Sequence, residues 1–470
     1  MKILLLSVSA RGHAIAEALQ RSSHAPEIIS ICPVANPGLK EIASALFVLP
    51  LSDLSGMVEI AKKVRPDFAV IGPEAPIAAG IVDLLAEHGV PSVGPNEELA
   101  RIESSKGFTR DLLTRHGIEA NPKYHVFHAQ IRNPYLAGMQ VKSEIRRYIE
   151  EDLQGEYVVK FDALAGGKGV KVSGEHLRTV EEGVMYAEEC IEKAGQVVVE
   201  EKLVGPEFSL MSFVSGKTVV SMPAVQDHKR AYEGDEGPNT GGMGSYSDAN
   251  HSLPFLNEVD LEQAHEFNVR TAEALLKETK EPYKGILYGG FIVCSSQCHP
   301  EPRPPRHPER GRRVRLIEYN CRFGDPEVLN VLPLLETDFV DICRGIVSGE
   351  LTDNMVKFQR KATVCKYIVP KSYPVSKDQR GEPVIFPDPD PNPDPKLRLY
   401  FGDICGDDGG TLRLGGSRSA GVVGIGETIE EAEKIAEEYC KQIKGLVRHR
   451  RDIGTRALIE KRMLMLDGKR

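Results

Sequence analysis

Short strand-like runs alternate with helical segments through the first hundred residues, and this alternation narrows the possible folds more than any other feature of the chain. Lys2–Val8 is a continuous apolar run of strand length, and His13–Leu19 follows it with helical spacing. Glu27–Ile31 and Phe68–Gly72 are further strand candidates, the latter ending in the turn Gly72-Pro73-Glu74. Ala78–Glu87 has helical periodicity and Val90–Gly94 again has the pattern of a buried strand. Strands separated by helices pair in parallel, because the crossover must return to the same end of the sheet and its helix covers a face. Residues 1–104 are therefore expected to form a parallel α/β domain. Ligands in such sheets collect beyond the carboxyl ends of the strands, here the segments after Val8, Ile31 and Gly72.

The pattern changes beyond residue 105. A helix over Ser105–His116 leads to a strand at Tyr157–Phe161, the glycine-rich Ala165–Gly169 and a returning strand at Val170–Val172. Val197–Glu200, Phe208–Val214, Gly289–Val293 and Val314–Tyr319 are β-forming, with a helix over Leu261–Lys277 between them. These predict an α+β region over 105–350 built on antiparallel strands. A last, β-rich domain over 355–460 ends in the amphipathic helix Thr428–Ile443. Two segments resemble insertions: 299–313, rich in Pro and Arg, and 387–395, with Pro at every second position. Three domains suit 470 residues.

Composition removes several function classes. Lys+Arg 59 against Asp+Glu 68 gives −9, which argues against a globally basic nucleic-acid binder, and no Trp is present for base stacking. Nine scattered cysteines fit reduced thiols in a cytoplasmic protein, and no apolar run is long enough to span a bilayer. Cys294, Cys298 and His299 lack a second ligand pair at zinc-site spacing, and no G-x-S-x-G elbow occurs. The run Arg448, His449, Arg450, Arg451 fits either a phosphate or RNA contact or a solvated helix end.

Four stretches suggest chemistry. Gln226–Tyr246 (QDHKRAYEGDEGPNTGGMGSY) is dense in glycine and carries Asp227, Lys229, Arg230, Asp235 and Asn239, a mixture suited to a small zwitterionic or phosphorylated substrate. Glu318 and Asn320 stand two apart in a strand and so share a face, offering hard oxygen ligands for Mg²⁺; Arg322 follows on the same side, able to clamp a carboxylate or phosphoryl group. Ala165–Gly169, near Lys160, could cover nucleotide phosphates, although it is no P-loop. In Glu200–Glu207, strand-end backbone at Glu201–Leu203 could pair with an adenine edge and Glu207 with ribose hydroxyls.

With these residues in hand the chain resembles the phosphoribosylamine–glycine ligase (glycinamide ribonucleotide synthetase) family, ATP-grasp enzymes of purine synthesis. The signature is DHKRAYEGDEGPNTGGMGSYS, supported by the Pro73–Gly80 segment, Glu103-Ser104-Ser105-Lys106, Val158-Val159-Lys160, Glu200–Ser209, EYNCRFGDPE at 318–327 and RRDIGT at 450–455. The resemblance implies a Rossmann-like N-terminal domain, an ATP-grasp region with a mobile lid at about 124–196, and a β-rich C-terminal domain. It implies ATP and Mg²⁺ (or Mn²⁺) as cofactors, glycine and 5-phosphoribosylamine as substrates, and a monomer or weak homo-oligomer with no nucleic-acid or membrane partner. Lys106 and Lys160 would hold nucleotide phosphates, with Gly166, Gly167, Lys168 and Gly169 closing over them. Glu200, Glu201 and Leu203 would frame adenine, and Glu207 the ribose. Glu318 and Asn320 would ligate the metal. Arg322, Lys160 and Asp227 would serve catalysis. Arg11, His13, Pro73, Glu74, Asp227, Asp235, Asn239, Thr240, Gly241 and Arg322 would line the substrate pocket.

One departure falls on a ligand loop. Where relatives carry G-x-G-G-R-E-H after the first strand, this chain has Ser7-Val8-Ser9-Ala10-Arg11-Gly12-His13. That change leaves room for two other readings: a related ATP-grasp ligase with a different amine substrate, and a non-catalytic nucleotide-binding paralogue. Retention of Lys106, Lys160, Glu207, Glu318, Asn320 and Arg322 argues against the latter.

Overall fold

The computed structural model describes residues 1–129, 134–166, 169–295, 312–387, 394–407 and 409–466. Its first sheet is wholly parallel, with strands β1 (Lys2–Leu6), β2 (Glu27–Cys32), β3 (Ala45–Val48), β4 (Phe68–Ile71) and β5 (Ser92–Val93) in the order β3-β2-β1-β4-β5. Ile3, Leu4, Leu5 and Leu6 are all fully buried, which explains why β1 is a continuous apolar run and not an alternating one. Helix α1 (Ser9–Gln20) starts four residues before its predicted start, on a Ser9 with φ +57°. The helix expected over 78–87 is two helices, Glu74–Ala78 and Ile81–Glu87, broken at Gly80, whose φ of +82° is easily reached only without a side chain.

In the middle region, helix α2 (Lys106–Arg115) is capped by Ser105, whose Oγ accepts from the Phe108 amide at 3.1 Å. A four-stranded antiparallel sheet follows, from β6 (Tyr124–His128), β7 (Tyr157–Phe161), β8 (Val170–Val172) and β9 (Gln196–Glu201), in the order β6-β9-β7-β8. It has its own core of Phe127, Ile145, Ile149, Tyr157, Val159, Val197 and Val199, separate from the main core. A subdomain with its own core can move as a unit, the property expected of a lid.

A second antiparallel sheet carries the strand with Glu318 and Asn320. Its long strands β10 (Glu207–Ser215) and β11 (Thr218–Ser221) precede the glycine-rich segment, which folds as β12 (Gln226–Asp227), a hairpin of β13 (Arg230–Tyr232) and β14 (Glu236–Asn239), and β15 (Gly244–Ser247). Strands β16 (Lys284–Ser295) and β17 (Arg312–Asn320) complete the sheet in the order β11-β10-β16-β17. Arg312 and Arg313, the end of the Arg/Pro insertion, belong to β17; the remainder of that insertion and residues 388–393 lie outside the described residues.

Strands β12 and β15 leave the middle region and join the C-terminal sheet beside Ala362–Pro370, Ala420–Gly426 and Leu397–Phe401. A Cβ on Gly244 would stand 2.2 Å from the Cys365 carbonyl oxygen, so this junction requires glycine. Helix Ile429–Cys440, N-capped by Thr428, packs on that sheet, and α3 (Arg456–Leu466) ends the described chain. No helix among the described residues is long and apolar enough to cross a membrane. The chain is thus a multidomain α/β protein with a parallel N-terminal sheet, antiparallel central sheets and a β-rich C-terminal domain.

Candidate active site

Strand β17 lies antiparallel to β16, with Glu318 opposite Gly290 and Asn320 opposite Tyr288, and a register irregularity falls between Gly290 and Phe291. Burial would raise the Glu318 carboxyl, but Lys229, Lys106, Lys160 and Arg322 hold it below the usual range. Asn320 Oδ1 accepts from Arg322 at 3.3 Å. These groups line one cleft with Lys106, with Gly166 and Gly169 of the lid, and with Glu74 and Glu103.

The cations on the other wall are tightly organised. Lys160, on β7, donates from Nζ to the Ile317 carbonyl at 2.8 Å and pairs with Glu200. Arg110 grips the same carboxylate through two bonds of 2.9 and 3.2 Å and also reaches the Ile317 carbonyl at 2.8 Å. The Glu200 carboxylate is therefore engaged by both cations. Burial lowers the Lys160 ammonium, against the pull of Glu200. Lys106 opens α2, where the Asp162 carboxylate takes its backbone amide, and its Nζ donates to the Ala163 carbonyl at 3.0 Å. Arg110 escaped the sequence reading, although it stands four residues after Lys106 and so on the same helix face.

Asp227, Glu207 and Glu327 add negative charge around one lysine. Lys229 Nζ is 3.6 Å from Glu207, and its strongest support comes from Asp227. Burial pushes the Asp227 carboxyl upward despite Lys229, and Glu327 is pushed up to about 7 by burial and by Asp227. Burial is the larger cause of both shifts, and neighbouring carboxylates add to it. Two hard oxygen donors, Glu318 and Asn320, share a face of β17 beside them. The donor set fits an oxygen-liganded divalent metal.

Arg322 joins the middle region to the N-terminal domain. It reaches Glu103 at 3.0 Å and Glu74 at 3.4 Å, and Arg11 reaches Glu74 at 3.2 Å. Against the effect of burial, Arg322 and Arg11 hold the Glu74 carboxyl at about 2. Pro73 is buried and precedes the short helix that presents Glu74. His13 sits deeper: its Nδ1 accepts from the Phe401 amide at 2.9 Å, and burial lowers its pKa to about 4, so the ring is neutral at pH 7. Ser9 donates to Asp325, which also receives Tyr367 and pairs with Arg418 at 3.2 Å.

The remaining predicted residues are dispersed. Gly166, with φ +54°, and Gly169 stand at the lid edge of the cleft, while Gly167 and Lys168 lie outside the described residues. The Glu201 amide donates to the Lys123 carbonyl at 2.8 Å, and Leu203 is half-buried just past β9. Asn239 is exposed on β14, opposite Arg230. Thr240 bonds the Lys229 carbonyl through both its amide and its Oγ1 at 2.8 Å, and the Gly241 carbonyl accepts from Arg418 at 2.7 Å. The Asp235 carboxylate is engaged by Arg450 at 3.1 Å and Arg462 at 2.6 Å.

Comparison with known proteins matches this chain to three family models in order: the phosphoribosylglycinamide synthetase N domain over residues 1–103, its ATP-grasp (A) domain over 104–328 and its C domain over 363–456. A phosphoribosylamine–glycine ligase of Methanococcus maripaludis is 43% identical over 468 residues, covering 98% of each chain. The chain belongs to the phosphoribosylamine–glycine ligase family.

Among solved structures, the phosphoribosylamine–glycine ligase of Thermotoga maritima aligns with a TM-score of 0.73 at 27% identity, over 96% of this chain and 100% of that one. The biotin carboxylase domain of Hydrogenobacter thermophilus 2-oxoglutarate carboxylase, solved with MgADP, aligns at 0.68 and 14% identity over 99% and 93%, a likeness of fold alone. The model matched over residues 104–328 is the ATP-grasp domain of the phosphoribosylamine–glycine ligase family.

Proposed function

We infer that this chain joins glycine to 5-phosphoribosylamine at the expense of ATP, giving glycinamide ribonucleotide, ADP and phosphate in purine biosynthesis. The observation that carries the reading is the convergence of Lys106, Glu318, Asn320, Arg322 and the lid edge on one cleft.

A glycine carboxylate oxygen attacks the γ-phosphorus of ATP, ADP leaves, and glycyl phosphate results. The amine nitrogen of phosphoribosylamine then attacks the carbonyl carbon and loses a proton, and phosphate departs with the former carboxylate oxygen. No covalent protein intermediate is required, so the protein contributes positioning and charge neutralisation. Lys106 and Lys160 are assigned to the nucleotide phosphates, with the lid glycines above them. Glu201 and Leu203 backbone would frame adenine and Glu207 the ribose. Arg322, held by Glu103 and Glu74, would offset charge on the acyl phosphate. Asp227 suits the ammonium of glycine, with Thr240 and Gly241 at the pocket rim. Arg11 and Glu74 belong to the aminoribose side.

Glu318 and Asn320 would hold Mg²⁺ or Mn²⁺. When bound, the ion neutralises phosphate charge and orients the transferred group. The test is isotopic. Glycine carrying ¹⁸O in its carboxylate should pass one labelled oxygen into each inorganic phosphate released; unlabelled phosphate would exclude a glycyl phosphate route.

A further inference from the structure

The cationic run near the chain terminus is neither a solvated helix end nor an open phosphate site. Arg448 donates to the Ala231 carbonyl at 2.7 Å, and its guanidinium lies 4.8 Å over the Tyr232 ring. Arg450, fully buried, donates to the Arg230 carbonyl and the Asp235 carboxylate, each at 3.1 Å. Arg451 pairs with Glu233 at 3.1 Å, and Asp452 accepts from the Gly234 amide at 2.9 Å. From α3, Lys461 reaches the Gly234 carbonyl at 2.8 Å and Arg462 the Asp235 carboxylate at 2.6 Å.

What this segment grips is the β13–β14 hairpin of the glycine-rich signature. Among the described residues the hairpin pairs with no other strand, and all four residues of β14 are exposed. A lone two-stranded hairpin is marginal in water, so its conformation depends on external contacts. Its root is Lys229, the lysine beside Glu207 and Asp227 in the candidate active site. Its first strand carries Arg230, which donates to the Gly237 carbonyl at 2.9 Å and pairs with Glu175 just after lid strand β8. The hairpin therefore touches the reaction site, the lid and the C-terminal segment together.

We propose that residues 448–462 form a clasp that sets this hairpin, with Asp235 and Arg462 as positioning residues that orient Lys229 and Arg230 and do not themselves contact substrate. This rests on the ligase reading of the site.

Arg462→Met tests it, because α3 is largely exposed and the substitution leaves the sheets intact. Two readouts are needed. Hydrogen–deuterium exchange should quicken at amides 231–239 and, through Arg230, at 170–176. The KM values for glycine and phosphoribosylamine should rise about fivefold while ADP affinity stays within about twofold, and Arg462→Lys should restore most of the difference. Unchanged exchange at 231–239 would overturn the clasp. Faster exchange with unchanged KM values, or a fall in kcat alone, would overturn the positioning role. If the wild-type chain made no glycinamide ribonucleotide, the ligase reading would fail, and the exchange comparison would still decide whether the clasp exists.

Discussion

Arg110 and Lys160 converge on the same two acceptors, the Glu200 carboxylate and the Ile317 carbonyl. Those acceptors lie on β9 and β17, so the pair ties helix α2 and strand β7 to the strand bearing Glu318. With two cations on one buried anion, Glu200 stays below the usual carboxylate range, burial being outweighed by Arg110 and Lys160. Arg110→Met would leave Glu200 to Lys160 alone and break a buried, bidentate pair. A loss of about 3 kcal/mol in urea unfolding is expected, with the KM for ATP raised roughly tenfold by a misplaced Lys160. Wild-type stability and KM would show that Arg110 has no part in placing Lys160.

Glu318→Gln keeps the size of the side chain and removes its charge. The expectation is a kcat lowered a hundredfold or more, on the order of 3 kcal/mol of lost stabilisation, with a smaller change in nucleotide affinity. Initial rates and ADP titration measure the two separately. An essentially unchanged kcat would remove Glu318 from the mechanism.

His13 makes stability depend on pH. Burial depresses its folded pKa to about 4 from 6.5, so its contribution is complete above pH 6.5 and is lost as pH falls toward 4. Between pH 7.5 and 5 the unfolded chain takes up the proton that the folded ring refuses, a loss of about 2 kcal/mol from this group. His13→Gln should be less stable than wild type at pH 7.5 but should fall less on acidification. Urea midpoints for both proteins at the two pH values decide it; equal slopes would show that His13 is not the titrating group.

Ser9 holds a left-handed backbone conformation that costs a non-glycine residue roughly 1 kcal/mol, and its hydroxyl is spent on Asp325. Ser9→Gly should relieve the strain and lose the hydrogen bond, leaving stability nearly unchanged. It should also open the backbone at the start of α1, so the KM for phosphoribosylamine is expected to fall while that for ATP does not move. A rise in that KM would mean the serine hydroxyl itself serves the substrate.

The buried strands were legible because burial on both faces leaves a nearly continuous apolar run, interrupted in β7 by Lys160: β1, β4 and β7 stand within two residues of their expected limits. Strand β3 was missed because none of its four residues is fully buried, so no such run marks it. In the site, Glu318, Asn320 and Arg322 could be found since their spacing is local. Arg110 and Glu103 could not, because their partners Glu200 and Cys321 lie 90 and 218 residues away. The arginine run at 448–451 was ambiguous for the same reason: its partners on the hairpin, the Ala231 and Arg230 carbonyls and the Glu233 carboxylate, are more than 200 residues upstream.

The most direct test of the whole account is the product itself. The chain is incubated with ATP, glycine and phosphoribosylamine generated in situ, and ADP and glycinamide ribonucleotide are quantified together by mass spectrometry. Equal amounts of the two, formed only when both glycine and the amine are present, are expected. ADP released without glycinamide ribonucleotide, or no turnover while ATP still binds, would contradict the assignment.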